Sequence, residues 1–309
     1  ACSLSNETTI VALLIITTIL WAFSFSLIGE YLAGSVDSYF SVLMRVGLAA
    51  LVFLPFLRTR GQSPRTIVLY MLVGAMQLGI MYLLAFRAYI YLTVSEFLLF
   101  TVFTPLYITL IYDLLSGRKL RWGYLLSAAL AVLGAAIIRY DKVSDHFWTG
   151  LLLVQLSNLC FAIGMVGYKR LMEVRPMPQH NAFAWFYVGA FIVAVAAWFM
   201  LGNAQKLPTT TLQWSVLVWL GGGASGLGYF MWNYGATQVD AGTLGIMNNV
   251  HVPAGLLVNL AIWQEQPHWP SFISGALVIL ASLWVHRRWV APHSGQTADD
   301  RRRGSAQSE

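Results

Sequence analysis

Ten long apolar segments run through the 309-residue chain, and they restrict its fold more than any other feature. Each is close to the ~20 residues that an α-helix needs to cross a bilayer. Only 10% of the residues are charged, against roughly 25% in soluble domains. The sequence therefore predicts an all-α polytopic membrane protein with ten transmembrane helices. We predict spans at residues 8–29, 39–57, 66–90, 93–115, 121–138, 148–168, 181–201, 212–236, 241–263 and 270–289.

Lys and Arg cluster on one side of these spans. Basic residues follow spans 2, 4, 6 and 10: Arg58, Arg60, Arg65, Arg118, Lys119, Arg121, Lys169, Arg170, Arg175, Arg287, Arg288 and Arg301–Arg303. The opposite side has Arg139, Lys142 and Lys206. By the positive-inside rule both termini are cytoplasmic, and we expect the bacterial inner membrane as the location. The net charge of +6 therefore reflects topology and does not indicate a nucleic-acid partner.

The two halves of the chain, residues 8–138 and 148–289, can be laid over each other. Trp21 aligns with Phe161, Arg45 with Tyr187, and Pro105 with Pro253. An odd number of spans per half requires the second repeat to be inverted, an architecture typical of secondary transporters, with the substrate site near the midplane. Residues 290–309 form a basic, polar cytoplasmic tail that we predict to be disordered.

These features resemble the EamA family of the drug/metabolite transporter superfamily. The resemblance rests on the ten spans, the two five-helix repeats, Trp21, Arg45 and the prolines of spans 4 and 9, and it covers residues 8–289. Residues 79–95 and 226–241 are similar to the family's glycine and aromatic pattern before the third loop. The resemblance implies that helices 1, 3, 4, 6, 8 and 9 surround a central cavity, and that transport is export.

Span 9 contains the hexapeptide Asn-Asn-Val-His-Val-Pro at residues 248–253. Helical spacing puts Asn248 and His251 on one face. We expect both to line a substrate cavity, with His251 binding substrate or carrying a proton; interhelical hydrogen bonding is the alternative. Pro253 and Pro105 are candidate hinges, or serve packing alone.

Other polar and aromatic residues lie on the helices that the resemblance places around the cavity. The further cavity candidates are Trp21, Gln77, Asn158, Tyr229, Trp232 and Asn233. Together they would suit a polar metabolite with a flat or ring-bearing part.

Three charged residues lie within the apolar spans at similar predicted depth: Arg45, Arg87 and Glu96. This placement predicts mutual pairing. The pairing could be structural, Arg87 could extend to the outer interface, and Glu96 could couple protons or bind a substrate amine.

The chain has no phosphate-binding Gly-rich loop with Lys-Ser/Thr, no HExxH and no nucleophile elbow. We therefore expect no enzyme activity, no catalytic residues, no cofactor and no metal, and transport driven by a gradient. The expected partners are a small-molecule substrate, protons and the bilayer; the oligomeric state is left open.

The main prediction is a secondary active transporter that exports a small polar metabolite, an amino acid or related compound, by alternating access. The alternative is an importer or uniporter of a vitamin-like or nucleobase-like metabolite. A membrane-embedded lipid-modifying enzyme and a non-transporting assembly protein are further alternatives, which flux through reconstituted protein would exclude.

Overall fold

The structure is a computed structural model that describes residues 2–115, 117, 122–138, 145–239, 241–264, 266 and 268–289. The predicted disordered tail at 290–309 and all the basic residues assigned to the connections before and after span 5 (Arg118, Lys119, Arg121, Arg139 and Lys142) lie outside these residues. The described residues form helices and turns, without a β-strand among them. The prediction of an all-α protein is therefore confirmed.

The first half contains five helical rods, α1 to α5, some of which change helix type along their length. They are α1 (Cys2–Leu27, then a π-helical turn Ile28–Leu32), α2 (Ser38–Phe53, then the 3₁₀ turn Leu54–Phe56), α3 (Pro64–Gly74, the π-helical Ala75–Ile80 and Met81–Ala88), α4 (Val94–Phe100, the 3₁₀ turn Thr101–Phe103 and Thr104–Leu115) and α5 (Trp122–Ile138).

The second half contains five more. They are α6 (Asp145–Val174), α7 (Gln179–Leu201), α8 (Thr211–Val218, the π-helical Trp219–Gly228 and Tyr229–Ala236), α9 (Ala241–Val258, then a π-helical turn Asn259–Trp263) and α10 (Trp269–Trp289). The longest π-helical stretches lie in α3 and α8, which are the third rods of their halves.

Local sequence explains where several rods begin. Thr93 and Glu96 form a capping box at the start of α4, and Thr210 and Gln213 form another at the start of α8. Each box satisfies backbone N–H groups that have no partner inside the helix. At α3, Ser63 caps the helix and Pro64 occupies its first turn, where a missing N–H costs nothing.

Six rods are long and apolar enough to cross a membrane by length and composition: α1, α2, α3, α4, α6 and α7. Shorter apolar stretches occur in α5, α9 and α10. Large apolar side chains such as Leu72, Phe199 and Leu257 point outward, as expected of a protein surrounded by hydrocarbon. The count of ten spans and the cytoplasmic placement of both termini stay predictions.

Helix packing is dominated by contacts between the two halves. The main partners are α1 with α8 and α9, α2 with α7 and α8, α3 with α6 and α7, α4 with α6 and α9, and α5 with α10. Exchanging each rod of one half for its counterpart in the other reproduces this set of pairs. Such a pattern is expected of two repeats related by a two-fold axis, and the core lies between them.

Glycines allow the closest of these approaches. A Cβ atom at Gly74 of α3 would overlap the backbone carbonyl of Phe186 in α7, and one at Gly189 of α7 would overlap the carbonyl of Met71 in α3. Small residues permit this backbone-to-backbone contact between membrane helices. Glycine at these two positions is therefore required for the close contact between α3 and α7.

Candidate functional site

A cavity lies between the two halves, bounded by α1, α2, α3, α4, α6, α8 and α9. Its volume, counted as the space open to the centre of a water molecule, is about 80 Å³. Most of the wall surface is aromatic and aliphatic, and eleven of the lining side chains other than Trp21 carry a polar group: Ser24, Arg45, Tyr82, Tyr89, Thr101, Thr104, Ser157, Asn158, Tyr229, Asn248 and His251. A mostly apolar cavity with polar groups that converge on it is the usual form of a small-molecule site.

One wall is an aromatic cluster centred on Trp21. Its ring lies 4.8 Å from that of Tyr229 and 6.4 Å from that of Phe161, measured between centroids. The indole Nε1 donates a hydrogen bond to the Ala224 carbonyl at 3.0 Å, which fixes the ring plane. The cluster therefore offers a rigid surface against which a ring-bearing substrate can pack.

Arg45 brings a positive charge to the cavity. It is only 4% exposed, and its Nε donates a hydrogen bond to Ser225 Oγ at 2.5 Å. The guanidinium carbon lies 4.1 Å from the centroid of the Tyr82 ring, within the range of a cation–π interaction. No carboxylate in the described part of the chain forms an ion pair with it.

Ser225 lies in the π-helical stretch of α8, and its surroundings orient Arg45. Its Oγ also shares a 2.7 Å hydrogen bond with the Tyr82 hydroxyl. The Tyr187 hydroxyl donates to the backbone carbonyls of Ser225 and Gly226, the latter at 2.9 Å. Because three side chains from α2, α3 and α7 meet this segment, the guanidinium is positioned before any ligand arrives.

The predicted mutual pairing of Arg45, Arg87 and Glu96 does not form. Arg87 lies 6.0 Å from the Tyr39 ring, and neither arginine makes an ion pair with Glu96. The Glu96 carboxylate accepts a hydrogen bond from the Thr93 N–H at 3.0 Å as part of the capping box. Similar depth was the basis of the prediction, but depth does not specify which side of a helix a residue occupies.

The predicted polar face of α9 does reach the cavity. Asn248 and His251 both line it, and His251 stacks on Phe25 with ring centroids 5.2 Å apart. Asn158 of α6 also lines it and donates to the Phe100 carbonyl at 2.9 Å. Trp21 and Tyr229 complete the group of predicted residues that the structure brings together here.

Three predicted cavity residues lie outside it. Gln77 and Asn233 bond to each other through two amide hydrogen bonds, each 3.0 Å long. Trp232 is fully buried and donates to Met165 Sδ at 3.2 Å, with its ring 5.2 Å from that of Trp21. These side chains support the wall and do not line it.

The two candidate hinge prolines occupy different local structures. Pro105 follows the 3₁₀ turn Thr101–Phe103 and lies in the first turn of the next helical segment. Pro253 lies inside the segment Ala241–Val258, which remains helical around it. The hinge role of either residue stays a prediction.

Sequence reasoning missed several residues of the site. Arg45 was assigned to an ion pair, while Tyr82, Tyr89 and Thr101 were not selected as cavity residues. A signal for Tyr82 existed, since it falls in the glycine and aromatic segment 79–95. Metal binding has no candidate either: no group of three His, Cys, Asp or Glu residues suited to a metal occurs in the described ranges.

A polytopic helical fold with a central cavity between two repeated halves is typical of membrane transporters. The sequence model of the EamA-like transporter family matches residues 8–140 and again residues 148–287. The chain belongs to this family, as the resemblance predicted. It is an integral inner-membrane transporter and not an enzyme.

Close relatives carry a more specific name. A protein named "Biotin transporter" from Escherichia coli (strain K12) is 82% identical over 298 residues, covering 96% of this chain and 100% of that protein. A "Biotin transporter" from Salmonella typhimurium has the same identity and coverage. A "Probable biotin transporter" from Pseudomonas aeruginosa is 55% identical over 276 residues, covering 89% of this chain and 96% of that protein.

The fold also has a solved counterpart. A structure described as "Crystal structure of protein" has a TM-score of 0.62 and 18% sequence identity, covering 91% of this chain and 96% of that chain. At this identity the likeness concerns the fold alone.

Proposed function

We propose that this protein is a secondary active transporter whose substrate is biotin. The observation that carries the proposal is the 82% identity, over the whole length of the relatives, to proteins named biotin transporter. This favours the vitamin alternative, with import or uniport, over the export of an amino acid.

The cavity has the chemistry that biotin requires. Biotin has a carboxylate on a flexible chain and a compact bicyclic ring that contains a cyclic urea. Arg45 supplies a buried guanidinium that has no carboxylate partner among the residues that the structure describes, which suits an anionic group because charge-assisted hydrogen bonds are strong in a dry site. The aromatic wall around Trp21 and Tyr229 suits the bicyclic ring.

The proposed roles follow from this arrangement. Arg45 binds the carboxylate, Trp21 and Tyr229 pack against the ring, and Asn158, Asn248 and His251 bind polar atoms. The remaining predicted members, Gln77, Trp232 and Asn233, act by supporting the wall. Alternating access between the two repeats, with Pro105 and Pro253 as hinges, completes the proposal.

The test is uptake of radiolabelled biotin into proteoliposomes containing the purified protein. We expect saturable uptake that unlabelled biotin blocks, that biotin amide blocks at least ~10-fold less well because it lacks the carboxylate, and that amino acids and nucleobases leave unchanged. Protein-free vesicles are the control. Saturable uptake of an amino acid with no flux of biotin would refute the proposal.

Proton coupling is a second part of the proposal, with His251 and Glu96 as the candidate carriers. If His251 carries the proton, His251→Gln should still bind biotin but lose the pH dependence of uptake. An unchanged pH dependence would remove that role from His251 and leave Glu96 as the candidate.

A further inference from the structure

Two buried polar side chains on α9 each retain an atom without a hydrogen-bond partner. They are Asn248, whose Nδ2 is unpartnered, and His251, whose Nδ1 is unpartnered. The residues are 2% and 4% exposed and both line the cavity. Leaving a buried donor or acceptor without a partner destabilises the protein. Two of them one helical turn apart, facing a cavity, indicate a ligand that satisfies both.

Thr101 determines which of the two imidazole nitrogens carries the hydrogen. Its hydroxyl donates its single hydrogen to the Leu98 carbonyl at 2.6 Å. The 3.1 Å hydrogen bond between Thr101 Oγ1 and His251 Nε2 must therefore be donated by the imidazole. Nε2 is the protonated nitrogen of the neutral ring, so Nδ1 is an acceptor.

Neutrality of the ring follows from its surroundings. No carboxylate of the described residues forms an ion pair with His251, and an unpaired charge at membrane depth is costly. Nδ1 accepts or donates no hydrogen bond among the described residues, including the backbone of Asn248 one helical turn earlier. Stacking on Phe25 holds the ring plane, so the free lone pair has a fixed direction.

The face thus presents a donor next to an acceptor. A cyclic urea presents the complementary pair along each edge, a carbonyl oxygen beside an N–H. We propose that Asn248 and His251 bind one edge of the cyclic urea of biotin, with Asn248 Nδ2 donating to the urea oxygen and His251 Nδ1 accepting from one urea N–H. This inference rests on biotin being the substrate, and it leaves the carboxylate for Arg45.

Recognition of one edge has a consequence for specificity. The two urea nitrogens of biotin are chemically similar, but only one of them faces His251 in a given orientation. A site that hydrogen-bonds a substrate group rejects an analogue lacking it more strongly than it rejects a change in apolar size. The transporter should therefore distinguish the two nitrogens while tolerating loss of the sulfur atom.

The experiment measures competition with labelled biotin in proteoliposomes by two analogues methylated at one or the other urea nitrogen, and by desthiobiotin. We expect one methyl isomer to compete at least ~10-fold less well than the other, and desthiobiotin to compete within about threefold of biotin. The two isomers add the same bulk, so each controls for the other. Equal competition by both, whether strong or weak, would overturn the inference.

Two variants test whether His251 causes the preference between the two methylated isomers. His251→Phe keeps a ring against Phe25 but has no lone pair, so the preference between the isomers should fall to within about threefold. Asn259→Leu is the matched control, because Asn259 lies on the same helix outside the cavity, and it should keep the preference. A preference retained in His251→Phe would refute the assignment; if that variant does not accumulate, the wild-type isomer comparison decides. Absence of uptake of biotin itself would instead refute the proposed function.

Discussion

Two pairs of buried polar side chains in this protein have opposite hydrogen-bonding states. Gln77 and Asn233 join α3 to α8 and satisfy each other through two hydrogen bonds. Asn248 and His251 lie on one face of α9, and each leaves an atom unsatisfied. The residue types are similar and all four are buried. The comparison teaches how to tell two kinds of buried polar residue apart in a membrane helix. A side chain whose hydrogen bonds are all made within the protein is a structural contact, whereas one with an unsatisfied atom facing a cavity is a candidate ligand-binding group.

Substitution of Arg45 should have the largest effect on biotin transport. Its Nε is held by a hydrogen bond to Ser225, while its charge has no carboxylate partner in the described chain and is available to the substrate. Replacing Arg45 by Met should lower biotin transport at least ~30-fold, since a buried charged contact with substrate is worth about 2–5 kcal/mol. Initial rates in proteoliposomes measure this. Arg87→Met, outside the cavity, is the control, and an equal loss in both variants would contradict the role of Arg45.

Removing an unsatisfied group should have opposite effects on function and stability. We expect Asn248→Leu to lower biotin transport by about tenfold, because a hydrogen bond to substrate is lost. The free energy of unfolding should stay level or rise, because burying an unpaired amide is unfavourable. Transport rates and thermal unfolding in detergent measure the two quantities. A marked fall in the melting temperature would mean that Asn248 is a structural contact.

Removing a satisfied group should reverse that result. Gln77→Leu should lower the free energy of unfolding by about 1–2 kcal/mol, since it removes two hydrogen bonds between membrane helices and leaves the Asn233 amide without its partner. The double variant with Asn233→Leu should recover part of that loss. Thermal unfolding of the single and double variants forms the cycle. A double variant less stable than the sum of the two single changes would contradict the pairing.

Tyr82 gives the smallest effect in this series. Tyr82→Phe keeps the ring beneath the guanidinium but loses the hydroxyl bonded to Ser225. We expect about a threefold loss of transport, in line with one neutral hydrogen bond of about 0.5–1 kcal/mol. Concentration-dependent uptake measures it. A loss as large as that of Arg45→Met would mean that Tyr82 contacts the substrate directly.

The sequence predicted those parts of the molecule that depend on local pattern. Apolar runs of the right length predicted the helices, and the spacing of Asn248 and His251 predicted that they share a face, which the structure places at the cavity. The family was also predicted, from Trp21, Arg45 and the repeated prolines.

Partners distant in the chain could not be predicted in this way. Gln77 and Asn233 are 156 residues apart, and nothing in either segment indicates that their amides meet. Arg45 and Ser225 are 180 residues apart, and the π-helical stretch that presents Ser225 has no periodicity that a reading by 3.6-residue turns would find. The missing information was three-dimensional, namely which faces of separate helices meet.

The pairing of α5 with α10 has a consequence for biosynthesis. α10 is the main neighbour of α5, and it begins at Trp269, whereas α5 ends at Ile138. At about 5–20 residues per second, a ribosome needs roughly 6 to 26 seconds to make the intervening chain. If α5 spans the membrane as predicted from the sequence, the side of it that later contacts α10 faces lipid during that interval. Leu125, Val132 and Leu133 face outward in the finished protein, so their surroundings are the same before and after α10 arrives, and only the α10-facing side of α5 has to wait for its neighbour.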